Sequence, residues 1–190
     1  MTATENPVVA GRHCGTCTLC CKLLAITALD KPRGSWCMHC SPGAGCAIYA
    51  ERPAECRSFH CGYLTLPDLG EEWYPQHAKI VLIGETGGRG IGAHVDPQRP
   101  DAWRREPYYA QLKQWAVRGA PRREQVAAYV GRRMYMILPD KDVDLGVVGD
   151  DEIVVMSQKE TPFGPTLDAF KIKTDDPRAQ ALGPEEGEGM

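Results

Sequence analysis

Residues 14–22 read Cys-Gly-Thr-Cys-Thr-Leu-Cys-Cys-Lys, so two-residue spacings separate the first three cysteines. Such spacings allow a tight turn to direct successive sulfur atoms at one metal. The same rhythm occurs in ligand loops of iron–sulfur proteins. Cys20 and Cys21 are adjacent and cannot easily reach one ion in similar geometry, so they serve two sites or only one of them ligates. We therefore predict a thiolate metal centre that organises this segment.

The other cysteines follow closely, and no cysteine lies beyond residue 61. The complete set is Cys14, Cys17, Cys20, Cys21, Cys37, Cys40, Cys46, Cys56 and Cys61. If cysteine were only a small core residue, it would also occur in the rest of the chain, so ligation is the favoured role. Eight thiolates fit two four-cysteine sites and leave one spare, while buried free thiols or disulfides are the alternative. His39 and His60 adjoin cysteines and can replace a thiolate, although a role outside the coordination sphere is favoured for both.

Composition places the chain among globular proteins and narrows its partners. The chain has 190 residues, 43% of them hydrophobic and 25% charged, which suits one domain or a metal module with a second lobe. A net charge of -3 gives no bulk attraction to nucleic acid or to an anionic membrane. No apolar run reaches the length of a membrane span, and the N-terminus lacks the pattern of a secretory signal. We therefore expect a cytoplasmic protein with reduced thiols.

The expected architecture is α+β, with a small metal-stabilised cysteine-rich module packed on a β-rich lobe that has one main helix. The predicted boundaries are a flexible tail at 1–12, the module at 13–63, the lobe at 64–173 and a disordered tail at 174–190. The module is rich in Cys, Gly and Pro and lacks long apolar patterns. Because it cannot bury enough apolar area to fold alone, metal ligation has to supply the missing stability.

Local patterns predict the elements of both parts. The main helix begins at Pro107 and ends at Gly119, because Tyr108, Leu112 and Trp115 recur on one face. A short helix is expected at 17–26, and strands are expected at 79–83, 91–95, 126–130, 134–138, 142–148 and 153–156. The glycine-rich run 84–93 loosely fits a nucleotide-binding loop, but no helix pattern follows it, so a hairpin turn is favoured. His94 and Asp96 are interpreted as an ordinary strand end.

The predicted site needs positive charge nearby. A site with four thiolates carries a formal charge of about -2, whether it holds zinc or a [4Fe–4S] cluster. The candidate cations are the basic residues that adjoin cysteines in sequence: Arg12, Lys22, Arg52 and Arg57. For each of them, a solvated surface charge is the alternative.

The cysteine spacing and its flanking residues carry a resemblance to a known family. The elements are Cys14-x2-Cys17-x2-Cys20-Cys21-Lys22, Gly45-Cys46-Ala47-Ile48-Tyr49 and Arg52-Pro53-x2-Cys56-Arg57-x-Phe59-x-Cys61. Over about 14–63 this pattern resembles the YkgJ-type CxxCxxCC family, which is described as a zinc- or iron-chelating domain or as an iron–sulfur-cluster-containing protein. The resemblance implies ligands at Cys14, Cys17, Cys20, Cys21, Cys46, Cys56 and Cys61. The family has one further cysteine where this chain has both Cys37 and Cys40, so either of these two can be the ligand.

The resemblance implies an iron–sulfur cluster, of the 4Fe-4S type, or zinc, and it implies no substrate. Three roles stay open: a metal-binding or electron-transfer protein, an enzyme that modifies protein side chains by methyl transfer or redox chemistry, and a zinc-stabilised interaction module. A flagellin lysine methylase is thought to share a similar cysteine cluster, which is the basis of the second role. A nucleophilic cysteine paired with His60 or His77 is a weaker hypothesis, because no cysteine stands out for it. The expected partner is a protein or a small molecule.

Overall fold

The computed structural model describes residues 8–84, 90–162 and 164–181. The predicted turn after residue 84 falls largely outside these ranges, as do residues 1–7 and 182–190 of the predicted tails. Within the described residues the fold is α+β, as predicted, with a β-rich sheet and one main helix.

Apart from that main helix, the described helices are one or two turns long. They are α1 (Leu19–Leu23), α2 (Ala54–Ser58), α3 (Gly62–Thr65), α4 (Pro75–Ala78), α5 (Tyr108–Gly119) and α6 (Pro177–Ala181). The main helix, α5, begins directly after Pro107 and buries Leu112 and Ala116, which confirms its predicted position. Among the described residues, no helix combines the length and the apolar character needed to cross a membrane.

The strands form one five-stranded sheet and two hairpins. They are β1 (Cys40–Ser41), β2 (Gly45–Cys46), β3 (Ile80–Gly84), β4 (Gly90–Val95), β5 (Gln125–Val130), β6 (Arg133–Ile137), β7 (Asp142–Val147), β8 (Glu152–Thr161) and β9 (Gly164–Lys173). The main sheet has the order β3-β4-β5-β6-β7, while β1-β2 and β8-β9 pair separately. β4 and β5 run parallel and are connected through α5, whereas the other neighbouring strands of this sheet are antiparallel. β9 has no counterpart among the predicted strands.

Alternation along β5 divides the core into two parts. Val126 and Ala128 face a large core that includes Leu112 of α5. Ala127 faces a smaller core, which is closed by Ala169 of the β8-β9 hairpin. A strand with apolar side chains on both faces is expected where both faces of a sheet are covered.

The module packs on β3, the edge strand of the sheet. Gly62 at the start of α3 lies so close to this strand that a Cβ atom there would be 2.7 Å from the Cβ atom of Leu82. Only glycine allows this approach without displacing the helix. Cys61 directly precedes Gly62 and belongs to the same large core as Leu82. The large core therefore runs through both the module and the lobe.

Part of the predicted N-terminal tail is attached to α3. The backbone N–H of Val9 donates to the carbonyl oxygen of Leu64 at 2.8 Å. The guanidinium of Arg12 donates to the carbonyl oxygen of Tyr63 in α3 at 2.6 Å. It also donates to the carbonyl oxygen of Leu66, the residue directly after α3, at 2.8 Å. Carbonyls at a helix end lack intrahelical partners, and Arg12 supplies donors for them. Arg12 therefore serves as a cap for α3, which differs from its expected role as a counter-charge for the metal.

A buried ion pair joins the module to the end of β4. Lys22 Nζ lies 2.7 Å from Asp96 Oδ1, and the two side chains are only 8% and 9% exposed. Gln98 completes the group, because its backbone N–H donates to Asp96 Oδ1 and its side-chain oxygen accepts from Lys22. Lys22 is therefore committed to Asp96, which differs from its expected role as a counter-charge. Asp96, interpreted from sequence as an ordinary strand end, holds α1 against the sheet.

Candidate metal centre

The first cysteine loop is a turn held by the lobe. The backbone N–H of Cys17 donates to the carbonyl oxygen of Cys14 at 2.9 Å, and Gly15 between them has a φ of +54°. That left-handed backbone suits glycine, which explains the Gly after the first cysteine. The hydroxyl of Tyr74, directly before α4, donates to the same Cys14 carbonyl at 2.7 Å. The turn that carries Cys14 and Cys17 is thus fixed from both sides.

The next cysteines are connected through backbone hydrogen bonds. Cys20 and Cys21 lie on α1. The backbone N–H of Cys37 donates to the carbonyl oxygen of Cys21, and that of Cys40 donates to the carbonyl oxygen of Cys37, each at 3.0 Å. The Cys37–Cys40 turn therefore lies directly beside α1. The Cys20–Cys21 pair and the later C-x2-C pair, distant in sequence, are brought together.

The last cysteines are held by short elements of the module. Cys46 pairs with Cys40 across the β1-β2 hairpin. Cys56 lies on α2, where its N–H donates to the carbonyl oxygen of Pro53 at 3.0 Å. Cys61 is buried and precedes α3. Each of these three side chains is thus placed by a local turn, hairpin or helix end.

Eight of the nine cysteines line one cavity of about 310 Å³. The lining thiols are Cys14, Cys17, Cys20, Cys21, Cys37, Cys46, Cys56 and Cys61. Cys40 is the cysteine outside this lining. His13, His39 and His60 also line the cavity, whereas His77 does not. The predicted site residues are therefore brought together, with Cys40 at the margin.

The donor groups share this cavity without a finished coordination geometry. All nine thiols are free. Among the described residues, no group of three or more His, Cys, Asp or Glu side chains is arranged as a set of ligands for one metal ion. The chemistry of the donor set still suits a soft metal, because thiolates are the preferred ligands of zinc and of iron–sulfur clusters. Binding of metal here requires the thiols to move toward a common centre.

Several thiols of the module have a pKa above that of a free thiol. Burial raises the pKa of Cys61 to about 11 and also raises the pKa of Cys14 and Cys17. A hydrogen bond with the thiol of Cys20 raises the pKa of Cys21. Burial raises the pKa of Cys40 to about 11. Because thiolates are the ligands, a metal that binds here has to displace protons.

Arg52 is the cation of the cavity wall. Its guanidinium lies 3.9 Å from the ring centroid of Tyr49, and it counteracts the rise in the pKa of Cys14. The Nε atom of Arg52 is buried and has no hydrogen-bond partner among the described residues. A buried donor without an acceptor is costly, so an anionic group in the cavity would relieve it. The residues present therefore fit a thiolate-bound metal of negative overall charge.

Lys31 is a second cation that the sequence analysis does not include. Its Nζ is hydrogen-bonded to the carbonyl oxygens of Leu24 and Lys22 at the end of α1. Its side chain is buried, which lowers its pKa, while Cys37 and other thiols of the cavity favour its charged form. Asp30, in the left-handed conformation, turns the chain back so that Lys31 pairs with Ile26. A lone lysine in a turn gives no sequence signal for such a position.

The remaining candidate cation, Arg57, is exposed and donates to the carbonyl oxygen of Arg52 at 3.0 Å. Arg57 thus supports the backbone of Arg52, and it does not line the cavity. The module as a whole still has five Lys or Arg residues against three Asp or Glu residues, in a chain whose net charge is -3. Positive charge is therefore concentrated where the thiols are.

Comparison with protein-family models, curated proteins and solved structures gave no match to this chain. The resemblance drawn from the cysteine spacing therefore stays a prediction. The structural basis for a function is the cavity that eight cysteines line.

Proposed function

We propose that the protein binds a metal cofactor through the thiols of the module, and that an iron–sulfur cluster is favoured over zinc. The observation that carries this proposal is the convergence of eight free cysteines on one cavity of about 310 Å³. These cysteines come from several short elements, and the backbone hydrogen bonds of Cys17, Cys37 and Cys56 hold the local structure that carries them. Such convergence has no evident use in a packed core, where side chains fill the space.

The size of the cavity favours a cluster. A cavity large enough for a water molecule needs only about 10–15 Å³ of probe-occupied volume, and this one is far larger. A single tetrahedral zinc ion would use four thiols and leave the others unexplained. An iron–sulfur cluster places inorganic atoms between the ligand sulfurs and so occupies more of the space. When bound, it supplies electron transfer.

The surrounding residues would then set the environment of the cluster. Arg52 and Lys31 offset the negative charge of the ligand thiolates, and the buried Leu64 and Val81 in the cavity wall keep water away. Positive charge near an anionic cluster raises its reduction potential, whereas exclusion of water from the cluster lowers it. The chain thereby tunes the potential through residues that are not ligands.

Metal and sulfide analysis tests the proposal. Protein purified without oxygen should contain iron and acid-labile sulfide in similar amounts, about four of each per cluster. Zinc without sulfide would replace the cluster by a structural zinc site. Reduced protein with neither metal would refute metal binding altogether.

Two arginines provide a sharper test. Arg52→Gln should make the reduction potential of the bound cluster more negative, because a cation of the cavity wall is lost. Arg118→Gln is the matched control and should leave the potential unchanged, since Arg118 is exposed in the last turn of α5 and lies outside the lining. Equal potentials in both variants would contradict the role of Arg52, whatever the metal content.

A further inference from the structure

A second cavity adjoins the C-terminal end of α4, whereas the cysteine cavity adjoins its N-terminal end. Tyr74 and Pro75 line the cysteine cavity, whereas His77, Ala78 and Lys79 line the second one. The second cavity has a volume of about 590 Å³ and is open to solvent. Its other walls come from the segment between β4 and α5 and from Tyr108 at the start of α5, so it belongs to the lobe and to none of the cysteine elements.

That segment presents two arginines on the same side. Three backbone hydrogen bonds follow one another along this segment. The N–H of Arg99 donates to the carbonyl oxygen of Asp96 at 2.8 Å, and the N–H of Ala102 donates to the carbonyl oxygen of Arg99 at 2.9 Å. The N–H of Arg105 then donates to the carbonyl oxygen of Ala102 at 3.2 Å. These hydrogen bonds link Arg99 and Arg105 through Ala102, so the two arginines lie one turn before and one turn after it. All three residues line the cavity.

Lys79 adds a third positive charge from the facing side. Its backbone is left-handed, with a φ of +61°, which is uncommon for a residue with a side chain. Two backbone hydrogen bonds of 2.9 Å hold it there, from its own N–H to the carbonyl oxygen of Pro75 and from the N–H of Asp96 to its carbonyl oxygen. The position of this side chain is thus imposed by α4 and by the turn after β4.

These three cations are not engaged by the part of the chain that the structure describes. Its ion pairs and side-chain hydrogen bonds include none formed by the side chains of Lys79, Arg99 or Arg105. By contrast, the neighbouring Arg104 lies 3.2 Å from Asp142 and covers the ring of Trp103. Among the described residues of the lining only Glu106 is acidic, so positive charge is in excess there.

We propose that this cavity binds a small molecule through a phosphate group. Two guanidinium forks and an ammonium group offer donors from different directions, which suits a dianion with several equivalent oxygens. The cavity is larger than a phosphate group alone requires, so the ligand is a phosphate monoester whose remaining part packs against the half-buried ring of Tyr108 in the lining. His77 lies at the rim, where it can donate one more hydrogen bond.

Calorimetry with phenyl phosphate tests this proposal on the full chain purified without oxygen. At constant ionic strength the wild-type protein should bind about one equivalent saturably. The double substitution Arg99→Gln and Arg105→Gln should weaken binding at least about tenfold, because charge-assisted hydrogen bonds are the strong ones. Lys79→Asn, in which asparagine tolerates the left-handed backbone, should weaken it less.

The matched control is Arg118→Gln. Arg118 is also exposed and lies in the last turn of α5, roughly 15 Å along the helix from Tyr108. This variant should bind phenyl phosphate as the wild type does. Unchanged metal content and circular dichroism will show that each variant is folded and that the cysteine module is intact. Absence of saturable binding to wild type, or an equal loss in the Arg118 variant, would overturn the proposal.

Discussion

The module and the lobe differ in what their elements can contribute to stability. The longest helix of the module has five residues and its strands have two, whereas the lobe has a helix of twelve residues and strands of up to ten. Among the described residues the buried polar or charged side chains also divide unequally: Thr18, Lys22 and Lys31 belong to the module and only Asp96 belongs to the lobe. Short elements with buried charges gain little from apolar burial. We therefore expect the lobe to support itself, and the module to depend on its attachments to the lobe and on the proposed ligation.

Removal of metal tests the difference in stability between the module and the lobe most directly. We expect a strong chelator to abolish the protection of backbone amides in the module while the amides of β3 to β7 stay protected. The physical reason is that ligation energy acts as folding energy in such modules, with apparent values of about 10–16 kcal/mol for structural zinc in small peptides. Hydrogen exchange followed by mass spectrometry measures both regions in one experiment. If the module keeps its protection after complete loss of metal, its stability comes from packing.

Cysteine substitutions test which thiols of the module bind the metal. Cys37→Ser should lose most bound metal, as should Cys14→Ser, because both thiols line the cavity. Cys40→Ser should keep it, since Cys40 lies outside the lining and serine can preserve its hydrogen bond with the thiol of Cys21. Metal per folded chain is the measurement, so that solubility does not enter. Loss of metal in the Cys40 variant equal to that in the Cys14 variant would make Cys40 a ligand.

The attachment between the two regions should be sensitive to its buried ion pair. Asp96→Asn should lower the free energy of unfolding by about 3–5 kcal/mol, because Lys22 is left charged and buried without its partner. The exposed pair Arg133–Asp144 is the matched control, and Asp144→Asn should cost less than about 1 kcal/mol. Urea unfolding at neutral pH measures both. Similar costs in the two variants would show that the pair at Asp96 is no more important than a surface contact.

The smallest expected effect belongs to the lobe alone. His94 is mostly buried and stacks on Tyr129, with ring centroids 4.7 Å apart, and burial lowers its pKa to about 4. Between pH 6.5 and 4 the unfolded chain takes up a proton at this residue and the folded chain does not. Stability should therefore fall as the pH drops through this window, by about 2 kcal/mol after allowance for partial exposure.

His94→Phe keeps a ring over Tyr129 and removes the titrating group. Urea midpoints at pH 7 and pH 5 should differ less in this variant than in the wild type. His77→Phe, at an exposed histidine, should retain the wild-type difference. If the His94 variant loses as much stability on acidification as the wild type, another group causes the pH dependence.

Local patterns in the sequence predict most of the lobe, and the exceptions have physical reasons. The strands β3 to β7 and the helix α5 carry clear apolar periodicity and turn residues, so they are found where expected. β9 contains Asp168 and Lys171 among its apolar residues, and it pairs only with β8, so its pattern is weaker. The parallel pairing of β4 with β5 depends on a crossover through α5, which no single strand encodes.

In the candidate metal centre, too, some residues are predictable from the sequence and others are not. The cysteines are evident from spacing, because ligand geometry imposes short intervals on the sequence itself. The partnership of Lys22 with Asp96 joins residues that are 74 positions apart, and the contact of Lys31 with the end of α1 requires a left-handed residue at Asp30. Arg52 is one of four candidate cations in the sequence, and only packing shows that Arg52 lines the cavity while Arg57 does not. Counter-charges come from long-range packing, which the local sequence does not record.

The ion pair between Lys22 and Asp96 can form only after all the cysteines of the chain have been synthesised. All nine cysteines precede residue 62, whereas Asp96 and the strand β3 that support them come later in the chain. At about 5–20 residues per second, a ribosome needs roughly 2–7 s to proceed from Cys61 to Asp96. During that interval the thiols have left the site of synthesis before their supporting surface exists. Protection of these thiols from oxidation, and delivery of the proposed metal, are therefore most demanding while the protein is still being made.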